Sequence, residues 1–416
     1  MTLPRILTIM GSGETSPTMS KVHRDLISRM GTPPVPAAML DTPFGFQENA
    51  DDITAKAVAY FRESVQREIG VASYRSAEGA DGVAYELMLA CLRESRYVFS
   101  GPGSPSYALT QWKGGQVPAV LAEKVRSGGC VTFASAAAVT LGAFALPVYE
   151  VYKVGQRPHW LEGLDLLAEA GLRAAVVPHF NNAEGGNHDT RFCYMGERRL
   201  SMLEVLLPED VFVLGVDEHT ALILDLDAGT ATVAGIGTVT VRHRSTCWTV
   251  VAGQSMPIAD LSAGGPTTSG APPVQAPAAP SGPAGGESDP LLDGIARCQA
   301  EFDDALAARD GRAAVKAVLD LDDLLTEWSR DTLQSDHVDR GRAALRAMVV
   351  RLGESTEKGL RDPREIVGPF VEALLDARRQ ARTDRRFADA DSLRDRLAGA
   401  GVEVRDTPDG TEWVLP

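Results

Sequence analysis

Residues 130–145 read CVTFASAAAVTLGAFA, an apolar run that passes abruptly into small residues. Cys130–Phe133 is a short run of apolar and β-branched side chains, the composition of a strand buried on both faces. Ser135 follows at once, and a small-residue helix begins directly after it. Ala134, Ala136, Ala137 and Ala138 let the backbone turn tightly and let the helix approach its neighbours closely. Two readings fit the serine. It is an N-capping residue after a buried strand, or it is a nucleophile raised above the sheet edge in the strand–turn–helix setting of a nucleophile elbow. In the second reading the helix N-terminus adds a positive dipole and free N–H groups beside the attacked carbonyl. Alanines replace both glycines of the G-x-S-x-G pattern, so the stretch alone leaves both readings open.

Working outward, similar apolar runs recur: RILTIM, PAAML, VASY, RYVFS, AAVVP and VFVLGV, each ending in Gly, Pro, Asp, Ser or His. Helix-like segments such as Ala50–Glu68 and Val83–Glu94 lie between them. Buried strands alternating with amphipathic helices predict an α/β domain, a doubly wound and mostly parallel sheet. TALILDLDAGTATVAGIGTVTV alternates with a period near two and carries turn signals, which predicts an antiparallel hairpin at the sheet edge.

Residues 262–288, SAGGPTTSGAPPVQAPAAPSGPAGGES, cannot bury enough apolar surface to offset their ordering entropy. We expect three parts: an α/β domain over 1–255, a flexible Pro/Gly/Ala-rich linker over 256–288 and an all-α domain ending in a small hairpin over 289–416. A coil of about 26 residues spans about 25–30 Å on average. Beyond it, Leu291–Arg309, Ala313–Arg330, Arg340–Leu352, Glu365–Arg382 and Phe387–Leu397 show helical periodicity, and VEVRDT with TEWVL around a Pro-Asp-Gly turn reads as a small hairpin.

The net charge of −15, with 44% hydrophobic and 23% charged residues, fits a globular protein and opposes wholesale affinity for nucleic acid or anionic membrane. No long apolar segment suits a membrane span. The five cysteines (Cys91, Cys130, Cys193, Cys247 and Cys298) are scattered and form no CxxC pair. They read as reduced thiols of a cytoplasmic protein. The oligomeric state stays open, a homo-oligomer included.

Two further strand ends bear on Ser135. AAVVPHF places His179 after one strand, and VFVLGVDEHTA places Glu218 after another. A serine oxygen is a poor nucleophile until a base takes its proton, and the imidazole needs a carboxylate to fix its tautomer. The carboxyl ends of strands gather at one edge of an open α/β sheet, so the three residues can meet there. A lone histidine in this setting is often structural; three such residues in the order Ser, His, acid favour catalysis. FSGPGSPSYAL adds a Gly-rich turn before a helix. The N–H groups of Gly103 or Ser104, with that of Ala136, are candidate oxyanion donors, whereas Pro102 and Pro105 offer none.

The segments LTIMGSGETSP, VFSGPGSPSYAL, GGCVTFASAAA, VVPHF and LGVDEHTA, in this order, resemble the S51 serine peptidases. That family has the class I glutamine amidotransferase-like fold and includes cyanophycinase and dipeptidase E. The resemblance covers about 250 residues. It implies Ser135 as nucleophile, His179 as general base, Glu218 as orienting acid and Gly103 as oxyanion donor, acting on a small peptide or isopeptide with Asp-X or β-Asp-X bonds. Serine at the elbow, where a glutamine amidotransferase carries cysteine, argues against glutaminase chemistry.

The resemblance also implies substrate-holding arginines after the histidine. NNAEGGNHDTRFCYMGERRL is longer than expected there, and it offers Arg191, Arg198 and Arg199, either as a carboxylate clamp or as a solvated helix face. His179, His188, Asp189 and Cys193 match no zinc spacing, so no metal and no other cofactor is expected. His23 reads as an ordinary helix residue.

From about Ile295 onward the chain resembles the C-terminal helical region of cysteinyl-tRNA synthetase, most specifically over VEALLDARRQARTDRRFADADSLRDRLAGAGVEVRDTPDGTEWVL. By that resemblance Arg378, Arg379, Arg382, Arg385 and Arg386 are candidate tRNA phosphate contacts. Residues 366–416 hold eight arginines and ten acidic residues, a net of −2, so affinity would rest on this cluster. A partner-binding or dimerisation module is the alternative. HIGH and KMSK signatures are missing from a nucleotide-binding context; TMSKV at 18–22 sits in the wrong setting. Aminoacylation is not expected.

Overall fold

Short β-branched and apolar runs form the strands. Those over 5–10, 37–40, 97–100, 129–134, 174–177 and 212–216 coincide to within a residue with the runs read above, whereas 144–145, 161–162, 246–251 and 255–257 were not singled out there. In chain order the strands are β1 (Arg5–Met10), β2 (Ala37–Leu40), β3 (Gly70–Ala72), β4 (Tyr97–Ser100), β5 (Gly129–Ala134), β6 (Phe144–Ala145) and β7 (Leu161–Glu162). They continue as β8 (Ala174–Val177), β9 (Phe212–Val216), β10 (Thr220–Asp225), β11 (Thr230–Gly235), β12 (Thr238–His243), β13 (Thr246–Val251) and β14 (Ser255–Pro257). The computed structural model describes residues 2–78, 81–183, 188–244, 246–262, 289–329, 337–357, 363–407 and 410–415. Residues 263–288 of the expected linker lie outside the described residues. Residues 256–262 are instead the end of β14 and the helix Ile258–Ser262, with Ile258 and Leu261 buried in the core, so the expected linker start at 256 is corrected.

The chain divides into two compact units, Met1–Glu287 with Thr326–Ser335, and Ser288–Leu325 with Asp336–Pro416. The first is mixed α/β and holds two sheets. One runs β14-β11-β10-β1-β5-β4-β2-β3; the other runs β13-β12-β9-β8-β6-β7. The central strands pair in parallel: β1 with β5, β5 with β4, β4 with β2, and β8 with β9. Antiparallel pairing is more extensive than the sequence pattern suggests. The hairpin β10–β11 forms as expected, yet β10 lies inside the first sheet against β1, and β12 leaves it to pair with β9 in the second.

This exchange of strands positions the candidate site. Met10 stands opposite Ala134 of β5 on one side and Ala221 of β10 on the other. The ends of β1 and β5 and the start of β10 therefore meet at one edge. Val177 of β8 stands opposite Gly215 of β9, so the segments after those strands run side by side. Residues 217–219 then cross from β9 to β10, carrying Glu218 from one sheet to the other. Asp217 pins the crossing by accepting from the Thr238 N–H at 2.8 Å and the Thr238 hydroxyl at 2.7 Å.

Val98, Val131, Phe133 and Leu222 are fully or almost fully buried in a core that Trp112 and Leu121 also join. A second cluster gathers Ile6, Met39, Tyr60, Phe61, Tyr97 and Phe99 around the helix Pro17–Arg29. Burying a side chain of this size contributes about 1.5–3 kcal/mol, so these layers hold the strand ends firmly.

The second unit is helical, with Pro290–Ala307, the helix Gly311–Trp328 as far as Leu325, His337–Glu357, Pro363–Thr383 and Phe387–Gly399 followed by the hairpin Glu403–Thr407 and Gly410–Val414. Val371 and Leu375 pack with Leu397, Val402 and Val404, and the Trp413 indole N–H donates to Glu372 at 2.8 Å. Among the described residues no helix is long and apolar enough to cross a membrane.

Candidate active site

Ser135 opens the helix Ser135–Val139 with φ 48°, a left-handed backbone on a non-glycine residue, and Ala134 before it is extended. The N-capping reading of Ser135 does not hold: Ala134 is the N-cap, and the Ser135 Oγ lies 2.9 Å from His179 Nε2 instead. His179 Nδ1 lies 2.7 Å from Glu218 Oε1. A carboxylate only accepts, so Nδ1 carries the hydrogen and Nε2 is left to accept from the serine hydroxyl. Ser135 is half-buried, while His179 is 8% exposed.

Each member is held in place. His179 also has a positive φ, of 48°, and its carbonyl accepts from the N–H groups of Asn182 and Cys193. Glu218 is oriented by two residues that sequence reasoning did not single out. The Asn182 side chain donates to Glu218 Oε1 at 3.2 Å, and Asn181 Oδ1 accepts the Glu218 N–H at 2.8 Å. The signal was the Asn-Asn pair directly after His179-Phe180. Burial acts to raise the Glu218 pKa, but the His179 hydrogen bond and charge, with Asn182 and His219, leave it below the usual carboxylate range. Glu218 is therefore ionised at neutral pH.

The turn Gly101–Ser104 lies beside the elbow, and the Gly101 carbonyl accepts the Ala137 N–H at 3.1 Å. Gly103 has φ 136°, and a Cβ there would stand 2.1 Å from the Pro43 carbonyl oxygen, so only glycine fits. The Gly103 N–H takes no backbone acceptor among the described residues. Ala136 sits in the first turn of its helix, where an N–H has no acceptor within the helix. Ser104 is a correction. Its N–H donates to the Pro43 carbonyl at 2.8 Å, and its hydroxyl caps the next helix by accepting from Tyr107, so it has no N–H to offer an oxyanion.

The three arginines after His179 differ. Arg191 forms a two-point pair with Asp189 at 2.9 and 3.0 Å and lies over the Phe192 ring. That pairing lowers the Asp189 pKa to about 2. Arg191 thus answers a carboxylate of its own loop. Arg198 is exposed, and Arg199 is half-buried with its guanidinium donating to the Met195 carbonyl at 3.4 Å. Part of the lengthened loop, 184–187, lies outside the described residues. No group of three or more potential metal ligands occurs among the described residues.

In the helical unit Arg379, Arg382, Arg385 and Arg386 are exposed. Arg386 pairs with Asp384 and Asp389, and Arg379 with Asp376. Arg378 is a second correction. It is 1% exposed, because it falls on the stripe of Val371, Leu375 and Ala381 that faces inward, and it is not available to a phosphate.

Residues 367–413 match the model of the cysteinyl-tRNA ligase anticodon binding domain. The cysteine–tRNA ligase of Deinococcus radiodurans is 34% identical over 142 residues, 32% of this chain and 28% of that one. The enzyme of Nitratidesulfovibrio vulgaris is 58% identical over 43 residues, 10% of this chain and 9% of that one. The chain thus spans less than a third of these relatives. Among solved structures, a peptidase from an acI-B1 Actinobacterium superposes with a TM-score of 0.51 at 21% identity, covering 62% of this chain and 98% of that one. The first unit therefore has a peptidase-like fold.

Proposed function

We propose that the first unit is a serine-type hydrolase of small peptides or isopeptides, with Asp-X or β-Asp-X bonds as the substrate class. The observation that carries this reading is the unbroken chain from Ser135 Oγ through His179 to Glu218, at 2.9 and 2.7 Å, set in a strained elbow. In this mechanism Ser135 Oγ attacks the scissile carbonyl while its proton passes to His179 Nε2. Glu218 stabilises the imidazolium, and the N–H groups of Gly103 and Ala136 receive the negative oxygen. His179 then gives its proton to the leaving amine, and water hydrolyses the acyl-enzyme by the same path in reverse. The five cysteines, all unpaired, support a cytoplasmic setting. No metal or organic cofactor enters the scheme.

Turnover of Asp-X and β-Asp-X dipeptides by wild type and Ser135→Ala tests it. The wild type hydrolyses one class or both, and Ser135→Ala loses at least about a thousandfold; equal rates in the two proteins would remove the assignment.

The match over 367–413 favours a second role, tRNA binding by the helical unit. With it the hydrolase acts on an aminoacyl or peptidyl bond of a tRNA-linked substrate, or the α/β unit is a non-catalytic scaffold. Retained tRNA binding with no hydrolysis of any such bond would select the scaffold.

A further inference from the structure

Glu14 has no part in the chemistry above, yet it lies against the same site. It follows the end of β1, which runs between β5 and β10, and it is 2% exposed. Its Oε1 stands 2.8 Å from where a Cβ on Gly101 would be, so the absent side chain of Gly101 makes the room it fills. Gly101 in turn accepts the Ala137 N–H of the elbow helix. The carboxyl is thus packed against the turn that carries Gly103 and is tied to the elbow.

Oε1 is buried with no hydrogen-bond partner among the described residues. Histidines and a tyrosine lie on the elements around the segment that carries it. His179 acts on it electrostatically from the end of β8. His23, from the helix Pro17–Arg29, is 2.8 Å from the Glu14 carbonyl oxygen and 2.6 Å from the Tyr97 hydroxyl. His219, after β9, is the side chain a Cβ on Gly13 would meet. Water and a substrate ammonium do not reach an oxygen without accessible surface. An ionised carboxylate buried here with Oε1 unpartnered is only partly offset by its own backbone N–H, and the ordinary relief is to keep the proton. A negative charge at Glu14 would also oppose the charge that develops on the attacked carbonyl oxygen beside Gly103 and Ala136.

We propose that Glu14 is a positioning residue that works as a neutral acid, supporting the turn 101–104 against the elbow, and that its ionisation disables Ser135. This rests on the hydrolase reading. Burial raises the Glu14 carboxyl above its ordinary range, while its own backbone N–H and the charge on His179 act the other way.

The test follows phosphonylation of Ser135 in the full chain by a fluorophosphonate from about pH 6 to 10. The serine oxygen forms a bond to phosphorus, fluoride leaves with the electron pair of the P–F bond, and the serine proton passes to His179. The wild-type rate is expected to rise as His179 becomes neutral, then to fall about tenfold per pH unit once Glu14 ionises. Glu14→Gln should keep the neutral-pH rate within about threefold and lack the fall. Glu14→Asp, which retains a carboxyl, should restore it. A wild type with no alkaline fall, or a Gln variant with the same fall, overturns the proposal. Should Glu14→Gln not fold, infrared spectroscopy of the wild type decides: a protonated-carboxyl C=O band must be present at pH 7 and vanish with the midpoint of the labelling loss. Its absence at pH 7 overturns the proposal. Equal labelling of wild type and Ser135→Ala would defeat the hydrolase reading instead, and the infrared band would still report on Glu14.

Discussion

At Ser135, His179 and His219 the backbone takes φ values of 48°, 48° and 53°, all at strand ends and none on glycine. Such conformations cost about 1–3 kcal/mol each and persist where the surroundings over-determine them. The register of β1 against β5 and β10, together with the N–H groups on the His179 carbonyl, provides that support. Gly103 is the sharpest case. A methyl group there would meet the Pro43 carbonyl at 2.1 Å on a backbone at φ 136°, so the turn must shift and withdraw its N–H. Gly103→Ala is expected to lower kcat by about 10²–10³, the usual effect of losing one oxyanion donor, with a fall in Tm. Gly114→Ala, which meets nothing within 4 Å, serves as the control. A Gly103→Ala enzyme with wild-type kcat would remove Gly103 from the site.

The helix Pro17–Arg29 is tied through His23 to β4 and to the segment after β1. Met19, Val22, His23, Leu26 and Ile27 are its buried residues, a stripe at helical spacing, so the burial of His23 was legible in the sequence. Its partners were not, because they come from Tyr97 on β4 and from the Glu14 carbonyl. A carbonyl only accepts, so Nε2 carries the hydrogen and Nδ1 accepts from the Tyr97 hydroxyl. The ring is boxed by Phe61 at 4.9 Å and Phe99 at 5.4 Å, and burial lowers its pKa to about 4. Below about pH 6.5 the unfolded chain takes up a proton that the folded chain refuses. His23 therefore removes stability as pH falls from about 6.5 to 4, up to about 3 kcal/mol. Urea midpoints measured across this window should decline with acid in the wild type and decline less steeply in His23→Phe, which starts lower because Tyr97 and Glu14 lose a partner. Equal slopes would contradict this. The same stripe logic places Arg378 inward beside Val371 and Leu375, a reading the sequence allowed. The use of the Ser104 N–H by Pro43, and the passage of residues 217–219 between sheets, depend on contacts far apart in the chain and leave no local pattern.

For the molecule as a whole, the net charge of −15 confines any affinity for RNA to a local cluster. Arg379, Arg382, Arg385 and Arg386 are exposed, although Arg379 and Arg386 already face acidic partners. The full chain is expected to bind tRNA weakly and with strong salt dependence. Replacing these four arginines by glutamine should reduce the slope of log K against log salt by about 3. Binding that is absent at about 50 mM salt, or a slope the substitutions leave unchanged, would leave the helical unit a protein-interaction role. The α/β class, the helical C-terminal region and the closing hairpin were all legible in strand and helix periodicity, because each element's pattern is local. Activation of Ser135 by His179 is tested by intact-mass and peptide-mass analysis after fluorophosphonate treatment at neutral pH. One adduct per chain is expected, on the peptide containing Ser135, formed at least about a hundredfold more slowly in His179→Ala. An adduct elsewhere, or an equal rate in His179→Ala, would contradict that activation.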